Sequence, residues 1–378
     1  MLRKIVCINI SISFFLLIFI DVLVGEWFRP KPYVAKIPNA IFNEKLKYKL
    51  PEKQWKKWGR EDKVIYTRDS EGYRGWQSKS DNQKYILAIG GSTTDERYVS
   101  DDETYTESLE KILSKKGLPE IDVINAGVDG QSTFGHLFSL IEWHEKIFSK
   151  YKYDTELVLF YLGVNDRFLL ESSSKDFENL NKFQKMRRLH NYLKLNSFIY
   201  KNLITLKDIY LKRIINDNSE ITYIAQGWGP REWTFGENNT FEEYPPKIKY
   251  EKIIRYKNLF KKLVQRTDDF FSGSEILFIQ QYIPGCRFND KNKIENRMYH
   301  KSGTFKDYCS LIKLVFDIQK EVIDKYNLNK DKKIHISPMY KDMVIKDELF
   351  YDYIHTIPKG SKIIAEYIGK EVESLLVK

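Results

Sequence analysis

Short apolar runs alternate with longer amphipathic segments from Lys84 to the end of the chain. The runs are mostly continuous in apolar residues, which is typical of strands buried on both faces of a parallel sheet. The predicted strands are Tyr85–Ile89, Ile121–Ile124, Leu157–Leu162, Ile276–Tyr282 and Lys333–Ser337. Apolar residues at helical spacing predict helices at Glu103–Leu118, Phe134–Ile147, Ile253–Val264, Cys309–Tyr326 and Ile363–Leu376. This alternation predicts a three-layer α/β/α fold with a mostly parallel five-stranded sheet.

The N-terminal segment has a different pattern. Arg3 and Lys4 precede Ile5–Val24, a twenty-residue stretch whose only charge is Asp21. A helix of that length spans the hydrocarbon core of a bilayer. We therefore predict that residues 1–28 are an uncleaved transmembrane signal anchor, and that the rest of this single-pass membrane protein lies outside the cytoplasm. A cleaved signal peptide and a buried helix are the alternatives.

Residues 29–82 show little sustained periodicity. They contain four prolines and a dense group of lysines, namely Lys45, Lys47, Lys49, Lys53, Lys56 and Lys57. We predict a stalk that packs back onto a domain formed by residues 83–378. The run Gly-Tyr-Arg-Gly-Trp at Gly72–Trp76 is predicted to be an ordered turn without chemistry.

An interruption of the strand and helix alternation runs from about residue 167 to residue 249. Between Asn181 and Arg213 a single acid, Asp208, stands against nine basic residues, which are Lys182, Lys185, Arg187, Arg188, Lys194, Lys201, Lys207, Lys212 and Arg213. We predict a helical insertion with a basic face and an apolar seam formed by Phe183, Met186, Leu189 and Leu193. The basic face is either solvated or contacts an acidic polymer or anionic lipid headgroups. The two tryptophans of Gly227–Trp233 either stack on sugar rings or pin their loop to the core.

Composition and charge exclude several classes of protein. The 378 residues are 42% hydrophobic and 30% charged, which excludes a disordered, collagen-like or coiled-coil chain. The net charge of +10 arises from 62 basic and 52 acidic residues scattered along the chain, and no nucleic-acid-binding motif accompanies it, so we expect no nucleic acid partner. Three cysteines are too few for a disulfide framework, and Cys286 could pair with Cys309 only in an exported protein.

Four short motifs follow predicted strands or precede the final helix. They are Gly90-Gly91-Ser92-Thr93-Thr94, Asn125-Ala126-Gly127-Val128-Asp129-Gly130, Gly163-Val164-Asn165-Asp166 and Asp352-Tyr353-Ile354-His355. Each motif alone is compatible with an ordinary turn. Because ligand sites of parallel sheets lie at the carboxyl ends of the strands, the joint placement predicts that these side chains form one site.

The residue types in these motifs are those that acyl transfer requires. A serine hydroxyl is a weak nucleophile, so it needs a base within hydrogen-bond reach and a third group that orients the base. Ser92, His355 and Asp352 supply these three types. The oxyanion formed on an attacked ester needs preorganised donors, and the backbone N–H groups of Ser92 and Gly130 and the Asn165 side-chain amide would supply them.

The four motifs together resemble the sequence blocks of the SGNH hydrolase superfamily, also called GDSL esterases or lipases. The resemblance covers about Lys84–Lys378 apart from the insertion. It implies a catalytic triad of the nucleophile Ser92 with Asp352 and His355, and it implies an oxyanion hole in which Gly130 and Asn165 take part.

Two positions qualify the resemblance. Gly91 stands where the namesake pattern of the family has aspartate, which affects no member of the triad. Gly127 is the alternative to Gly130 as the glycine of the oxyanion hole, and the spacing of the family pattern favours Gly130.

Other titratable residues near the motifs are candidates for different chemistry. Asp95, Glu96 and Asp166 could form a metal site, but no ligand spacing typical of metals accompanies them, so we predict no metal and no cofactor. His136 could lie near the mouth of the site, but on a predicted helix of apolar residues we expect a packed or a surface histidine instead.

The sequence therefore predicts a serine esterase that forms an acyl-enzyme on Ser92. The predicted substrate is an ester, an O-acyl group on a carbohydrate or envelope glycan, and the predicted second partner is a membrane. The alternatives are a lipase or lysophospholipase, an O-acyltransferase that uses the same residues, and a non-catalytic membrane-anchored binding protein.

Overall fold

The computed structural model describes residues 2–49, 63–75, 84–151, 153–171, 182–214, 223–224, 234–288, 293–300, 303–304, 307–328, 330 and 334–377. The helices are α1 (Leu2–Val24), α2 (Ser92–Asp95), α3 (Tyr105–Lys115), α4 (Thr133–Ser139), α5 (Glu145–Tyr151), α6 (Arg167–Glu171), α7 (Lys182–Asn196), α8 (Phe198–Ile214), α9 (Tyr250–Phe270), α10 (Tyr308–Asn327), α11 (Met339–Asp342) and α12 (Pro358–Leu376). The strands are β1 (Glu44–Lys49), β2 (Lys63–Arg68), β3 (Lys84–Gly90), β4 (Ile121–Gly127), β5 (Asp154–Leu162), β6 (Tyr223–Ile224), β7 (Thr234–Glu243), β8 (Glu275–Gln280), β9 (Cys286–Phe288), β10 (Lys293–His300), β11 (Gly303–Thr304) and β12 (His335–Ser337).

The central sheet is parallel and has five strands in the order β12-β8-β5-β3-β4. Each apolar run that the sequence marks as a strand contributes one of them, which confirms the predicted sheet. In the register of β3 with its two neighbours, Gly90 lies opposite Gly127 of β4 and Tyr161 of β5. The carboxyl ends of these three strands therefore meet at one edge of the sheet.

Two apolar cores cover the two faces of this sheet, because successive side chains of a strand point to opposite faces. On one face, Leu87 and Ile89 of β3 pack in a core that includes residues of α9 and α10. On the other face, Ile86 and Ala88 pack in a core with residues of α3 and α12. The predicted three-layer α/β/α architecture is confirmed.

The segment predicted to be a stalk packs on the domain. β1 and β2 pair antiparallel, and Leu46 and Tyr66 share a small core with Ile357, just ahead of α12. Further along, Tyr73 is fully buried and stacks on Trp143 with 5.0 Å between ring centroids. The boundary between stalk and domain near residue 82 stays a prediction.

α1 occupies the segment predicted to be a membrane anchor. Among the residues that the structure describes, no helix has both the length and the apolar character needed to cross a bilayer, so a transmembrane anchor over residues 1–28 is not supported. Asp21 is buried and accepts hydrogen bonds from the Ser197 hydroxyl at 3.0 Å and the Ile199 N–H at 2.8 Å. These bonds hold the end of α1 against the beginning of α8.

The insertion is helical only in part. It contains α7 and α8, but also β6 and β7, and β7 pairs antiparallel with β10 in a second sheet. Two residues of the predicted apolar seam are not buried, since Met186 and Leu189 are 61% and 55% exposed, while Leu193 is half-buried. The loop Gly227–Trp233 lies outside the described residues, so its role stays a prediction.

A disulfide bond joins Cys286 at the start of β9 to Cys309 in α10. This is the pair that the sequence analysis named as possible in an exported protein. The bond connects the chain that follows β8 to a helix covering the sheet.

Candidate active site

Ser92 lies at the first position of α2, immediately after β3 ends. Two glycines make this tight turn, because a Cβ on Gly90 would lie 2.8 Å from the Tyr161 carbonyl oxygen and a Cβ on Gly91 would lie 3.0 Å from the Asn165 amide nitrogen. Side chains at these two positions would therefore displace neighbours of Ser92. This crowding is a physical reason for glycine at position 91, where the family pattern has aspartate.

Ser92, His355 and Asp352 form a continuous chain of hydrogen bonds. The Ser92 Oγ and His355 Nε2 are 2.7 Å apart, and His355 Nδ1 and Asp352 Oδ2 are also 2.7 Å apart. With Nδ1 protonated, the ring donates to the carboxylate, and Nε2 accepts the serine proton. This is the geometry of a nucleophile, its base and the group that orients the base.

The loop before α12 presents Asp352 and His355 in a fixed orientation. The second carboxylate oxygen of Asp352, Oδ1, accepts the backbone N–H groups of Ile354 at 2.9 Å and His355 at 2.7 Å. The ring of Tyr351 stacks on the imidazole with 5.5 Å between centroids and 11° between planes. Both oxygens of the carboxylate are thus engaged, and the imidazole is held from its edge and its face.

The surroundings of His355 affect its protonation. Burial lowers the pKa of His355, but the negative charge of Asp352 and its hydrogen bond to the ring raise it, and the pKa lies above its ordinary value of 6.5. An imidazolium formed when the base takes the serine proton is therefore stabilised in place.

The Asn165 side chain lies beside the nucleophile turn. Its amide nitrogen donates to the Gln131 carbonyl at 2.9 Å and would be 3.0 Å from a Cβ on Gly91. Gly130 precedes Gln131, has φ +76° and is exposed. The loop after β4 and the turn after β5 therefore meet next to Ser92, at the edge where the sequence predicts an oxyanion hole.

Gly127 has different surroundings from Gly130. A Cβ on Gly127 would overlap the backbone of Thr94 and Asp95, and the Gly127 carbonyl accepts a hydrogen bond from the buried Arg68 at 2.6 Å. Gly127 is thus packed under the nucleophile turn. The assignment of Gly130 to the oxyanion hole stays a prediction that this placement favours.

Asp166 braces the turn that carries Asn165. Its buried carboxylate accepts the Thr133 N–H at 2.6 Å, the Thr133 hydroxyl at 2.7 Å and the Tyr256 hydroxyl at 2.9 Å. Gln281, which follows β8, accepts the Val164 N–H at 2.9 Å. Thr133, Tyr256 and Gln281 are all distant in sequence from the turn that carries Asn165. These supporting contacts could therefore not be found from the motifs.

Sequence reasoning also missed two arginines of the predicted stalk. Arg68 is buried and forms an ion pair and hydrogen bond with Asp95 of α2, while the Tyr66 hydroxyl donates to the same carboxylate at 2.7 Å. Arg74 donates to the backbone carbonyls of Asp95 and Val99. Both arginines bond to the turn after β3 that carries Ser92. In the sequence, only the run Gly-Tyr-Arg-Gly-Trp, which contains Arg74, indicated that this part of the stalk is ordered.

Glu96 connects the nucleophile turn to the beginning of α12. Its buried carboxylate accepts the Tyr105 N–H at 2.7 Å and the Ser361 hydroxyl, and it lies 3.5 Å from the Thr356 hydroxyl beside the catalytic loop. Burial raises the pKa of Glu96 to about 7, although these hydrogen bonds oppose the rise.

The acidic residues considered for a metal site each have other partners. Asp95 contacts Arg68, Glu96 contacts Ser361, and Asp166 contacts Thr133. Within the described residues, no group of three or more histidines, cysteines and acids has the arrangement of a metal site.

The histidine outside the triad that lies nearest the second motif is packed. His136 is buried in α4, and burial lowers the pKa of His136 to about 3, so it is neutral at physiological pH. His144 is buried in the same way, and its ring faces Tyr73. Both histidines are buried, so of the two positions that the sequence left open for His136 the structure has the packed one.

A small cavity opens at the nucleophile. Its volume is about 50 Å³, and it is lined by Ser92, Asp95, Arg97, Tyr98, Asp129, Tyr351, Asp352 and His355. Larger cavities of about 320 Å³ and 340 Å³ have none of the motif side chains in their walls. The cavity at Ser92 has room for a small acyl group, and its walls combine charged side chains with the rings of Tyr98 and Tyr351.

The fold and the strand-end motifs now agree on one type of enzyme. Ser92, the pair His355 and Asp352, and the Asn165 amide come from three separate motifs and meet at the carboxyl edge of a parallel sheet. The arrangement is that of a serine hydrolase site, and its motifs resemble those of the SGNH superfamily. The individual roles of its residues are the subject of the experiments proposed below.

No protein-family model matches the chain, and no curated protein matches its sequence. Similar solved structures include an acetylxylan esterase from Geobacillus stearothermophilus, with 12% identity over 78% of this chain and 96% of that chain and a TM-score of 0.41. A family 3 carbohydrate esterase from Clostridium thermocellum has 12% identity over 78% and 98% of the two chains and a TM-score of 0.39. An aryl esterase from M. smegmatis has 12% identity over 78% and 100%, and a TM-score of 0.40. Similarity at this level assigns no substrate, so the function proposed below depends on the site itself.

Proposed function

We propose that this SGNH-type hydrolase removes short O-acyl groups from a carbohydrate. The observation that carries the proposal is the hydrogen-bonded chain from Ser92 through His355 to Asp352, which opens into a cavity of about 50 Å³. Because the space directly at Ser92 is small, we expect a short acyl group such as acetyl to be preferred over a long acyl chain.

The proposed reaction begins with attack of the Ser92 Oγ on the acyl carbonyl carbon. The serine proton passes to His355 Nε2, and the carbonyl oxygen becomes an oxyanion next to the Asn165 amide and the N–H groups of Ser92 and Gly130. The bond to the alcohol oxygen then breaks, and His355 returns the proton to the departing alcohol. Water activated by His355 attacks the acyl-enzyme in the same way and releases the acid.

Charged side chains beside the nucleophile favour a carbohydrate over a lipid. Arg97 and Asp129 line the cavity, and their charges would lose solvent beside the acyl chain of a lipid. A lipase or lysophospholipase is therefore the weaker candidate. An O-acyltransferase would use the same residues, with a sugar hydroxyl in place of water in the second step.

The test uses the purified full-length protein and a fluorophosphonate probe that labels activated serines. The wild-type protein is expected to be labelled and to hydrolyse 4-nitrophenyl acetate faster than the butyrate and octanoate esters. Ser92→Ala is expected to lose both labelling and turnover, with Ser114→Ala on the far end of α3 as the matched control. Turnover by Ser92→Ala equal to that of the wild type would refute the proposal, as would a preference for octanoate.

A product assay separates the hydrolase from the acyltransferase. Incubation with acetylated xylooligosaccharide should release one acetate for each acyl group lost. Acetyl transfer to an added unacetylated oligosaccharide, without acetate release, would replace the hydrolase proposal by the acyltransferase.

We also propose that the catalytic domain lies outside the cytoplasm. The disulfide between Cys286 and Cys309 supports this, because reducing compartments keep cysteine pairs as thiols. Acid quenching of expressing cells followed by thiol alkylation should leave both cysteines unmodified until a reductant is added. Alkylation of both cysteines without reductant would contradict an extracytoplasmic location.

A further inference from the structure

Part of the cavity wall has features that the acyl-transfer chemistry does not use. Arg97 Nη1 lies 3.5 Å from Asp129 Oδ2, and the two side chains are 29% and 37% exposed. Arg97 Nη2 also lies 3.3 Å from Asp95 Oδ2. An ion pair that remains partly exposed at the mouth of a site presents a donor and an acceptor side by side.

The charge of this wall is balanced. Arg97 has Asp129 and Asp95 as neighbours, and Asp95 is itself paired with Arg68. An anionic substrate group would have to displace a carboxylate from the guanidinium. A neutral group that accepts one hydrogen bond and donates another meets no such penalty, and two neighbouring sugar hydroxyls are such a group.

Aromatic side chains complete the rim. Tyr98 and Tyr351 both line the cavity, and their rings meet edge to face with 5.9 Å between centroids. Tyr351 in turn stacks on His355. A few placed polar groups beside aromatic surface are the usual composition of a small-molecule site, and a pyranose ring has both hydroxyls and an apolar C–H face.

The backbone positions this wall relative to the reacting atoms. Asp129 immediately precedes Gly130 in the loop after β4, and the Asn39 side chain donates to the Asp129 carbonyl at 3.3 Å. Arg97 follows α2, five residues after Ser92. Because the acyl group occupies the space at Ser92 itself, the alcohol portion of the ester would lie against the wall.

We propose that Arg97 and Asp129 form a sugar subsite that binds two neighbouring, uncharged hydroxyl groups on the ring whose ester is cleaved. The inference rests on the esterase function proposed above and adds the two residues that bind the leaving sugar and its need for two neighbouring, uncharged hydroxyls. Arg97 donates to one hydroxyl oxygen, and the neighbouring hydroxyl donates to Asp129. The two side chains act on specificity and take no part in bond making.

The test compares two substrates in each protein. One substrate is a monoacetylated methyl xyloside with a free neighbouring hydroxyl, and the other is 4-nitrophenyl acetate, which has no sugar. The measured quantity is the ratio of kcat/KM for the xyloside to kcat/KM for the aryl ester. We expect Arg97→Gln and Asp129→Asn each to lower this ratio by about tenfold or more, mainly through KM. The control, Lys320→Gln in an exposed ion pair of α10, should leave the ratio unchanged.

A substrate lacking the neighbouring hydroxyl tests the contact without relying on the folding of any variant. The deoxy xyloside acetate should be a poorer substrate than the parent for the wild-type protein, and the difference should disappear in Asp129→Asn. Equal kcat/KM for the parent and deoxy substrates in the wild type would overturn the proposal. A higher kcat/KM for an acetylated glucuronide than for the neutral xyloside, lost in Arg97→Gln, would also overturn it.

The outcomes separate this inference from the esterase proposal. If the wild type hydrolyses 4-nitrophenyl acetate through Ser92 but the ratio does not respond to Arg97 or Asp129, only the sugar subsite is wrong. If no ester is hydrolysed and Ser92 is not labelled, the esterase function itself is wrong.

Discussion

His355 has a different partner on each ring nitrogen, and the two partners require different protonation states of the ring. Asp352 on Nδ1 stabilises the protonated ring, whereas Ser92 on Nε2 needs the neutral ring to accept its proton. The catalytic form is the neutral one. Since the pKa of His355 is raised, activity is lost as pH falls through a value above the ordinary 6.5 of histidine.

The pH profile of kcat/KM tests this assignment. For 4-nitrophenyl acetate, the wild-type rate should rise with pH, with a midpoint above about 6.5. Asp352→Asn removes the charge that raises the pKa of His355 but leaves burial, which lowers it. This variant should therefore have a lower maximal rate and a midpoint at lower pH. A wild-type rate that is flat between pH 5 and pH 8 would contradict a histidine base.

Asn165 is expected to stabilise the oxyanion through its side-chain amide, which also donates to the Gln131 carbonyl. Asn165→Ala should lower kcat by about a hundredfold or more with little change in KM, because the amide binds charge that develops in the transition state. Labelling by the fluorophosphonate should persist at a lower rate, since Ser92 and His355 remain. If Asn165 instead only holds the turn through Gln131, thermal stability will fall and the kcat of the folded fraction will not. Asn165→Ser, which keeps a shorter donor, should recover part of kcat.

At the scale of elements, the nucleophile turn is fixed by the N-terminal hairpin as well as by the sheet. β2 supplies Arg68 to the buried carboxylate of Asp95 in α2. The predicted stalk is therefore part of what positions Ser92. A buried carboxylate is stable only while its positive partner and hydrogen bonds are present.

Arg68→Met tests the contribution of this hairpin. We expect a loss of about 3–5 kcal/mol in the free energy of unfolding, because Asp95 would be left charged and buried without its nearest partner. Asp95→Asn added to Arg68→Met should restore part of the loss. Urea denaturation measures both, with Arg29→Met in an exposed ion pair as the control. A loss below about 1 kcal/mol would show that the hairpin does not support the turn in this way.

Glu96 connects two elements, α2 and α12, through a carboxylate whose protonation depends on pH. Because the pKa of Glu96 is raised from 4.5 to about 7, the folded state keeps the proton longer than the unfolded state does. Stability from this group is fully present below pH 4.5 and is lost as pH rises to about 7.

Glu96→Gln should remove that pH dependence. Glutamine keeps an acceptor for the Tyr105 N–H and can donate to the Ser361 hydroxyl. Between pH 5 and pH 8 the wild type should lose about 3 kcal/mol in the free energy of unfolding that the variant does not lose. Parallel denaturation curves at the two pH values measure the difference. An identical pH dependence in both proteins would show that Glu96 does not titrate in this range.

At the scale of the whole molecule, two apolar cores and one cross-link hold the layers together. The disulfide between Cys286 and Cys309 closes a loop over 23 positions of sequence. Cys286→Ser with Cys309→Ser should therefore lower the free energy of unfolding by about 3 kcal/mol. Denaturation with and without reductant measures it, and the double variant should show no response to reductant. A wild-type protein that is equally stable in reductant would mean that the cross-link is not formed or adds nothing.

The predictions from the sequence succeeded where information is local. Each strand of the central sheet is a short apolar run, and each motif follows directly from a strand or precedes a helix. The position of Ser92 after β3 and of Asn165 after β5 needed no knowledge of distant contacts. Once the strands are parallel neighbours, their ends must meet at one edge.

The sequence could not supply partners that are far apart along the chain. Buried charged side chains leave no periodic signal in the sequence, because each of them alone resembles an exposed charge. The examples are Arg68 against Asp95, Glu96 against Ser361, and Asp166 against Tyr256. The pairing of β7 with β10 was missed because these two strands are also far apart along the chain.

The hydrophobic pattern by itself determined the sheet, its covering helices and the edge at which the four motifs meet. Only the tertiary structure decided that the supposed stalk supports the nucleophile, that Gly127 is packed while Gly130 is exposed, and that Arg97 and Asp129 form an ion pair in the wall of the cavity. Periodicity along a chain records which face of an element is buried. It does not record which distant charge or hydroxyl compensates a buried polar group, because that depends on the arrangement of the folded layers.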